Sequence, residues 1–171
     1  MRIQYKHQKF QAEAAKAVVD VFAGQPYLTP TYMMDRGSGY IQQSLIDDVD
    51  FTGWSNQKIV PELNDQLILE QLQKIQRINH IQPSNKLEGR SNGYNLTIEM
   101  ETGVGKTYTY IKTMYELNRA YGWSKFIIVV PSIAIREGVY KSFEMTQEHF
   151  SEEYGKKIRF FIYNSCFSVY N

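Results

Sequence analysis

The sequence predicts an α/β fold built on a parallel sheet. Over the C-terminal half of the chain, short apolar runs alternate with helical patterns, as in successive βαβ units. The run at 126–130, Phe-Ile-Ile-Val-Val, is continuously apolar, as expected of a parallel strand buried on both faces. Two such units in succession predict a parallel sheet with right-handed crossovers.

The N-terminal half is predicted to contain two amphipathic helices. Apolar residues between positions 10 and 22 recur at helical spacing, and Gly24 ends the pattern. Asn64 or Asp65 can cap a second helix, which we expect to continue to about residue 80.

The C-terminal half is predicted to alternate strands with helices. Gly122 and Gly155 are placed to end the two helices, and Ser132 can cap the second of them. The expected elements are strands at 95–100, 126–130 and 158–163, a helix from Lys106 to about Tyr121, and a helix between Ser132 and Gly155.

Composition and charge are those of an ordinary soluble domain. The 171 residues are 43% hydrophobic and carry a net charge of +1, so any contact with nucleic acid must come from a local patch. A single cysteine, Cys166, excludes an internal disulfide and is consistent with a reducing compartment. The sequence shows neither a signal peptide nor an apolar run of ~20 residues, so we expect a cytoplasmic protein without a membrane partner.

The segment between the first predicted strand and its helix has the composition of a phosphate-binding loop. Its glycines let the backbone curl so that N–H groups point at the phosphates. Lys106 supplies a positive charge for the β- and γ-phosphates, and the Thr107 hydroxyl is placed to ligate Mg²⁺. An ordinary Gly-rich turn is the alternative, but a lysine at a helix N-terminus is unfavourable unless an anion lies above it. We therefore predict a site for ATP and Mg²⁺ formed by Thr102, Gly103, Val104, Gly105, Lys106 and Thr107.

The loop departs from the strict P-loop pattern, which requires a glycine where this chain has Met100. Superfamily 2 helicases use a first motif ending Thr-Gly-x-Gly-Lys-Thr without that glycine, and residues 102–107 resemble this form. In that superfamily an upstream glutamine contacts adenine. Phe10-Gln11, followed by Ala14, resembles this element, which implies that Gln11 binds adenine. The alternative is an amphipathic helix with a solvent-facing glutamine.

Two longer segments resemble the Res subunit of type III restriction endonucleases. They are 100–108, which includes the loop, and 126–139, in which Pro-Ser-x-Ala-Ile-Arg-Glu-Gly is the most specific part. A weaker resemblance covers 17–22 and extends thinly over the whole chain. The resemblance implies a RecA-like P-loop three-layer sandwich, present here in part. It also implies a prokaryotic ATP-driven DNA motor that works with a separate modification (methyltransferase) subunit.

The same resemblance implies a DNA contact at the start of the last helix. By position, Pro131, Ser132 and Arg136 would lie along the DNA path. The Ser132 hydroxyl and the N–H groups at that helix start suit a phosphate, as does the Arg136 guanidinium. A surface ion pair with Glu137 or Glu144 is the alternative for Arg136.

We expect residues 1–171 to be the N-terminal part of the first motor domain. Gln11 and the loop are far apart in sequence, so residues 25–93 are predicted to be an insertion packed on the sheet. That insertion would contact DNA or a partner subunit, or would only elaborate the structure. No acidic tetrad and no nuclease constellation follow Lys106, so no catalytic residue is predicted. We expect the chain to bind ATP weakly and neither to hydrolyse ATP nor to cut DNA.

Three other interpretations remain open at this stage. Another superfamily 2 motor, such as the motor subunit of a type I restriction enzyme, would share the loop. A small P-loop kinase would have a similar length, but it needs an acceptor pocket and an arginine-bearing lid that the sequence does not show. A non-catalytic nucleotide- or DNA-binding module is the third.

Overall fold

The computed structural model describes residues 5–29, 31–33, 53–90 and 93–163. These ranges contain four helices and four short strands. The helices are α1 (Lys9–Val21), α2 (Asp65–Ile78), α3 (Lys106–Tyr121) and α4 (Ile133–Tyr154). The strands are β1 (Thr31–Met33), β2 (Gly53–Ser55), β3 (Glu88–Arg90) and β4 (Gly93–Asn95). They form two antiparallel pairs, β1 with β2 and β3 with β4.

The helix ends follow the local signals of the sequence. Asn64 caps α2 through its Oδ1, which accepts a hydrogen bond from a backbone N–H three residues on at 2.9 Å. Ser132 caps α4 in the same way through Oγ, at 3.3 Å. Gly122 and Gly155 follow α3 and α4 in the left-handed conformation. The predicted helices and their end signals are therefore confirmed.

The buried apolar side chains form two clusters. One lies between α3 and α4, and the other joins α1 to α2 and the chain around them. The first cluster is Ile111, Met114, Tyr115, Phe143 and Phe150. The second is Val21, Leu63 and Ile68, with Leu72, Ile75 and Leu96 among the partly buried residues packed against it.

Helices α3 and α4 lie side by side and run in the same direction. Their contacts advance together along both helices: Tyr108 meets His149, and Lys112 meets Glu153. Parallel neighbouring helices are what two successive βαβ units require, because each helix returns the chain to start the next parallel strand.

The predicted parallel sheet is not confirmed. Residues 96–100, 126–130 and 158–163 form no strand pairs among the residues that the structure describes. Ile127 and Val129 are 92% and 89% exposed, so the prediction that 126–130 is buried on both faces is wrong. Strand pairing is non-local, and strands that follow each other in the chain are not always neighbours in a sheet. Among the described residues, none of these three segments forms backbone hydrogen bonds with another of them as a strand pair.

The described part of the predicted insertion, 25–93, packs on α1 and on the chain just before the loop. Ile68 of α2 and Leu96 belong to the same apolar cluster, and Gln71 Nε2 donates a hydrogen bond to the Ala23 carbonyl at 2.9 Å. Residues 30, 34–52 and 91–92 lie outside the described residues. The assignment of this segment as an insertion, and the domain limits of 1–171, stay predictions.

Candidate nucleotide site

The loop before α3 has a backbone that its glycines make possible. Gly103 and Gly105 have φ angles of +83° and +86°, a region that L side chains rarely adopt. Gly105 is the N-cap residue of α3, and its carbonyl accepts the first helical hydrogen bond, from the Thr109 N–H at 3.0 Å. The chain therefore turns sharply at Gly105 and enters the helix directly.

The N-terminus of α3 differs from those of α2 and α4, which a side chain caps. No side chain of the described residues caps α3. The first N–H groups of a helix have no partner within the helix, and the helix dipole makes this end positive. Lys106 lies exposed at the same end and adds a full charge. An anion such as a phosphate would satisfy both the N–H groups and the lysine.

The six predicted phosphate-site residues are contiguous, and the loop is open to solvent at Thr102, Gly103 and Lys106. A Cβ built on Gly103 would meet no described atom within 4 Å, so there is room above the loop. Thr107 is half-buried in the first turn of α3. Among the described residues, no group of three or more His, Cys, Asp or Glu could hold a metal ion.

Gln11 lies against this loop and not in solvent. Its side chain is buried, and its Nε2 donates a hydrogen bond to the Val104 carbonyl at 2.8 Å. The interpretation of Gln11 as a solvent-facing residue of an amphipathic helix is wrong. The adenine contact stays a prediction, but the structure brings Gln11 and the loop together across the intervening chain.

The predicted DNA-contacting residues lie at the start of α4. Pro131 and Ser132 are exposed. The Arg136 guanidinium Nη2 is 3.0 Å from a Glu137 carboxylate oxygen, so the ion pair named as the alternative is present. His149 contacts Tyr108 in the first turn of α3. Along α4, Ser132 lies about 25 Å from His149, at a rise of 1.5 Å per residue. The two candidate sites are thus well separated.

A buried polar network that the sequence analysis missed joins α3 to α4. Lys112 Nζ lies 2.5 Å from a Glu153 carboxylate oxygen and 3.0 Å from the Tyr154 hydroxyl. The Lys112 side chain is only 7% exposed. Tyr108 and Tyr115 precede and follow Lys112 at helical spacing, which places the lysine on an aromatic face. This spacing is the feature of the sequence that could have indicated a buried lysine.

The same interface holds a histidine beside the first turn of α3. His149 Nε2 is 2.8 Å from the Tyr108 hydroxyl, and the Tyr5 and Phe150 rings pack around the imidazole. Burial lowers the pKa of His149 below its usual 6.5, although the nearby Glu153 carboxylate opposes this shift. Burial also raises the pKa of Tyr108 to about 12. Both groups are therefore neutral near pH 7.

In the part of the chain that the structure describes, no helix combines the length and apolar character that a membrane span requires.

Comparison with known proteins places the loop and α4 within one family. The family described as "Type III restriction enzyme, res subunit" matches residues 54–165. This range includes the predicted phosphate and DNA residues and excludes Gln11.

Three curated relatives are named Res subunits of type III restriction-modification enzymes. The EcoPI Res subunit of Escherichia phage P1 is 37% identical over 106 residues, covering 60% of this chain and 11% of the relative. The EcoP15I Res subunit of Escherichia coli is 35% identical over 109 residues, with the same two shares. The StyLTI Res subunit of Salmonella typhimurium is 47% identical over 62 residues, covering 35% of this chain and 6% of the relative.

The match thus spans about a tenth of the length of these relatives. The family range itself covers more than half of the 171 residues. The resemblance drawn from the loop and the 126–139 segment is confirmed: the chain belongs to the family of type III restriction enzyme Res subunits.

Proposed function

We propose that this chain is the ATP-binding part of the DNA motor in a type III restriction-modification enzyme. The open N-terminus of α3 carries this proposal. A Gly-Val-Gly turn with two positive φ angles leads into a helix that no described side chain caps, and Lys106 lies exposed at its start. Family membership favours this function over a small P-loop kinase or the type I motor.

ATP and Mg²⁺ would be held by residues in distinct roles. The N–H groups of the first turn of α3 would bind the phosphates, and Lys106 would neutralise their charge. The Thr107 hydroxyl would ligate a Mg²⁺ shared with the phosphates. Gln11 would read the adenine edge from the side of α1. When bound, Mg²⁺ supplies charge neutralisation for phosphoryl transfer.

DNA would be bound separately, at the start of α4. Ser132 keeps its hydroxyl hydrogen for donation while its oxygen caps the helix. Arg136 would exchange the Glu137 carboxylate for a DNA phosphate, which forms an equally charge-assisted contact. Pro131 would fix the entry of the chain into α4.

The fold that supports both sites would be a RecA-like three-layer sandwich. The parallel course of α3 and α4 supports this. Exposure alternates along 126–130, with Phe126 and Ile128 37% and 38% exposed against 92% and 89% for Ile127 and Val129, as along a strand whose two faces differ.

In the full-length enzyme this part would work with a modification subunit in a prokaryotic cytoplasm and drive ATP-dependent DNA cleavage. The relatives are named Res subunits of type III restriction-modification enzymes. The present 171 residues carry no acidic tetrad after Lys106 and would bind ATP without hydrolysing it.

The test is DNA cleavage by the full-length Res protein assembled with its modification subunit. Lys106→Ala should abolish ATP-dependent cleavage, while Arg136→Ala should weaken DNA binding and leave ATP binding intact. Arg77→Ala, on the exposed face of α2, is the matched control and should leave both unchanged. Cleavage by the Lys106→Ala protein at the wild-type rate would refute the proposed function.

A further inference from the structure

The hydrogen bond between Gln11 and the phosphate loop ties together two parts of the chain that lie 93 residues apart. Gln11 is 8% exposed, so solvent competes little for its amide. Its helix is also held at the other end, because the Tyr121 hydroxyl donates to the Val19 carbonyl at 2.7 Å. Helix α1 is therefore bonded to the loop near its start and to α3 near its end, and Gln11 is held in place beside the loop.

The two loop glycines differ in their relation to Gln11. Both need a positive φ, but a Cβ on Gly103 would meet no described atom within 4 Å. A Cβ on Gly105 would lie 2.6 Å from Gln11 Nε2, closer than non-bonded atoms approach. The glutamine amide therefore occupies the space next to the last residue before α3.

The bond to Val104 has a geometric consequence for the next N–H group. The carbonyl of Val104 and the N–H of Gly105 belong to one planar trans peptide unit and point in opposite directions. Because Gln11 holds the carbonyl on its own side, the Gly105 N–H is directed away from Gln11. Rotation of this peptide would instead exchange an N–H donor for a carbonyl oxygen, which repels phosphate.

We propose that Gln11 is a positioning residue of the phosphate loop, which fixes the Val104–Gly105 peptide so that its N–H is available to a phosphate. This inference rests on the proposed function and goes beyond the adenine contact. If it is right, loss of the Gln11 amide weakens the binding of a ligand that has phosphates and no base.

The two roles of Gln11 are compatible and can be separated by the choice of ligand. A glutamine amide has two N–H donors and one oxygen acceptor, and Val104 uses one donor. The second donor and the oxygen form the pair that an adenine edge requires. Tripolyphosphate reports only the loop, whereas ATP reports the loop and the base.

The experiment measures the affinities of Mg²⁺–tripolyphosphate and Mg²⁺–ATP for the chain by calorimetry. Gln11→Met keeps the length of the side chain and removes the donor without adding charge. Gln11→Asn keeps the amide but shortens the side chain, so it no longer reaches Val104. The matched control is Gln71→Met, which removes a similar amide-to-carbonyl bond on α2, to Ala23.

Both Gln11 variants should bind tripolyphosphate about three- to tenfold more weakly than the wild type, the effect of losing one hydrogen bond. The Gln71→Met protein should bind as the wild type does. Amide hydrogen exchange without ligand should be unchanged in α2 in the Gln11 variants. This second measurement also shows that the variants are folded.

Unchanged tripolyphosphate affinity with weakened ATP binding would overturn the inference, because Gln11 would then read only the base. The proposed function would survive that result. A wild-type chain that binds neither ligand would overturn the proposed function and this inference with it.

Discussion

Replacement of Gly122 by alanine should destabilise the protein far more than the same change at Gly155. The two glycines end α3 and α4 in the same way: φ is +80° and +67°, and each N–H bonds a carbonyl four residues back at 2.9 Å. They differ in their surroundings. A Cβ on Gly122 would overlap the Leu28 carbonyl oxygen and lie 3.0 Å from its carbon, whereas one on Gly155 would meet no described atom within 4 Å.

The expected loss in the free energy of unfolding has two sources, the positive φ and the overlap with Leu28. A side chain at positive φ costs about 1 kcal/mol at either position. At Gly122 the overlap is with backbone, which cannot rotate away, and the shift that relieves it adds about 2 kcal/mol. That shift would also weaken the bond from the Leu28 N–H to the Tyr121 carbonyl, which is 3.4 Å long. We expect about 3 kcal/mol at Gly122 and about 1 kcal/mol at Gly155.

Urea denaturation of Gly122→Ala, Gly155→Ala and the wild-type chain measures both costs under one set of conditions. The comparison cancels the conformational term and leaves the contact with Leu28. Equal destabilisation by the two substitutions would refute the packing of residues 25–29 against the end of α3.

Three further predictions concern the helix interface and the end of α2. The wild type should lose stability as the pH falls below about 6.5, because the unfolded chain protonates a histidine that burial keeps neutral in the folded state; His149→Gln should remove this component in urea titrations. Lys112→Met should cost about 3 kcal/mol by leaving the Glu153 carboxylate without its buried partner, and adding Glu153→Gln should recover most of it. His80→Gly should stabilise the protein by about 1 kcal/mol, measured by thermal unfolding, because His80 has a φ of +57°.

Each of these predictions has a result that contradicts it. An acid-dependent loss of stability as large in His149→Gln as in the wild type would place its origin elsewhere. If the Lys112 and Glu153 substitutions have strictly additive effects, the two side chains do not interact. A His80→Gly protein no more stable than the wild type would mean that the positive φ is not strained.

Local signals in the sequence were sufficient to predict the helices. Asn64 and Ser132 mark helix starts by their side-chain oxygens, and Gly122 and Gly155 mark helix ends by their tolerance of positive φ. These effects act within one turn of a helix, so a single sequence contains them. The phosphate loop could be predicted for the same reason, since its glycines and Lys106 are contiguous.

Contacts between distant parts of the chain could not be predicted in this way. The sequence suggested three parallel strands, but strand pairing depends on which backbone segment lies alongside. Among the described residues, no segment pairs with 126–130. Nothing near Gln11 in sequence indicates the bond to the Val104 carbonyl. The burial of Lys112 depends equally on α4, which supplies Glu153 and Tyr154.

The most direct test of the ATP site is calorimetric titration of the chain with Mg²⁺–ATP. We expect weak, saturable binding at one site, at least tenfold weaker in Lys106→Ala, because the lysine charge lies at the phosphates. Lys74→Ala, an exposed lysine of α2, is the control and should bind as the wild type does. Saturable binding that is equally strong in Lys106→Ala, or no binding by the wild-type chain, would contradict the assignment of residues 102–107 as a nucleotide site.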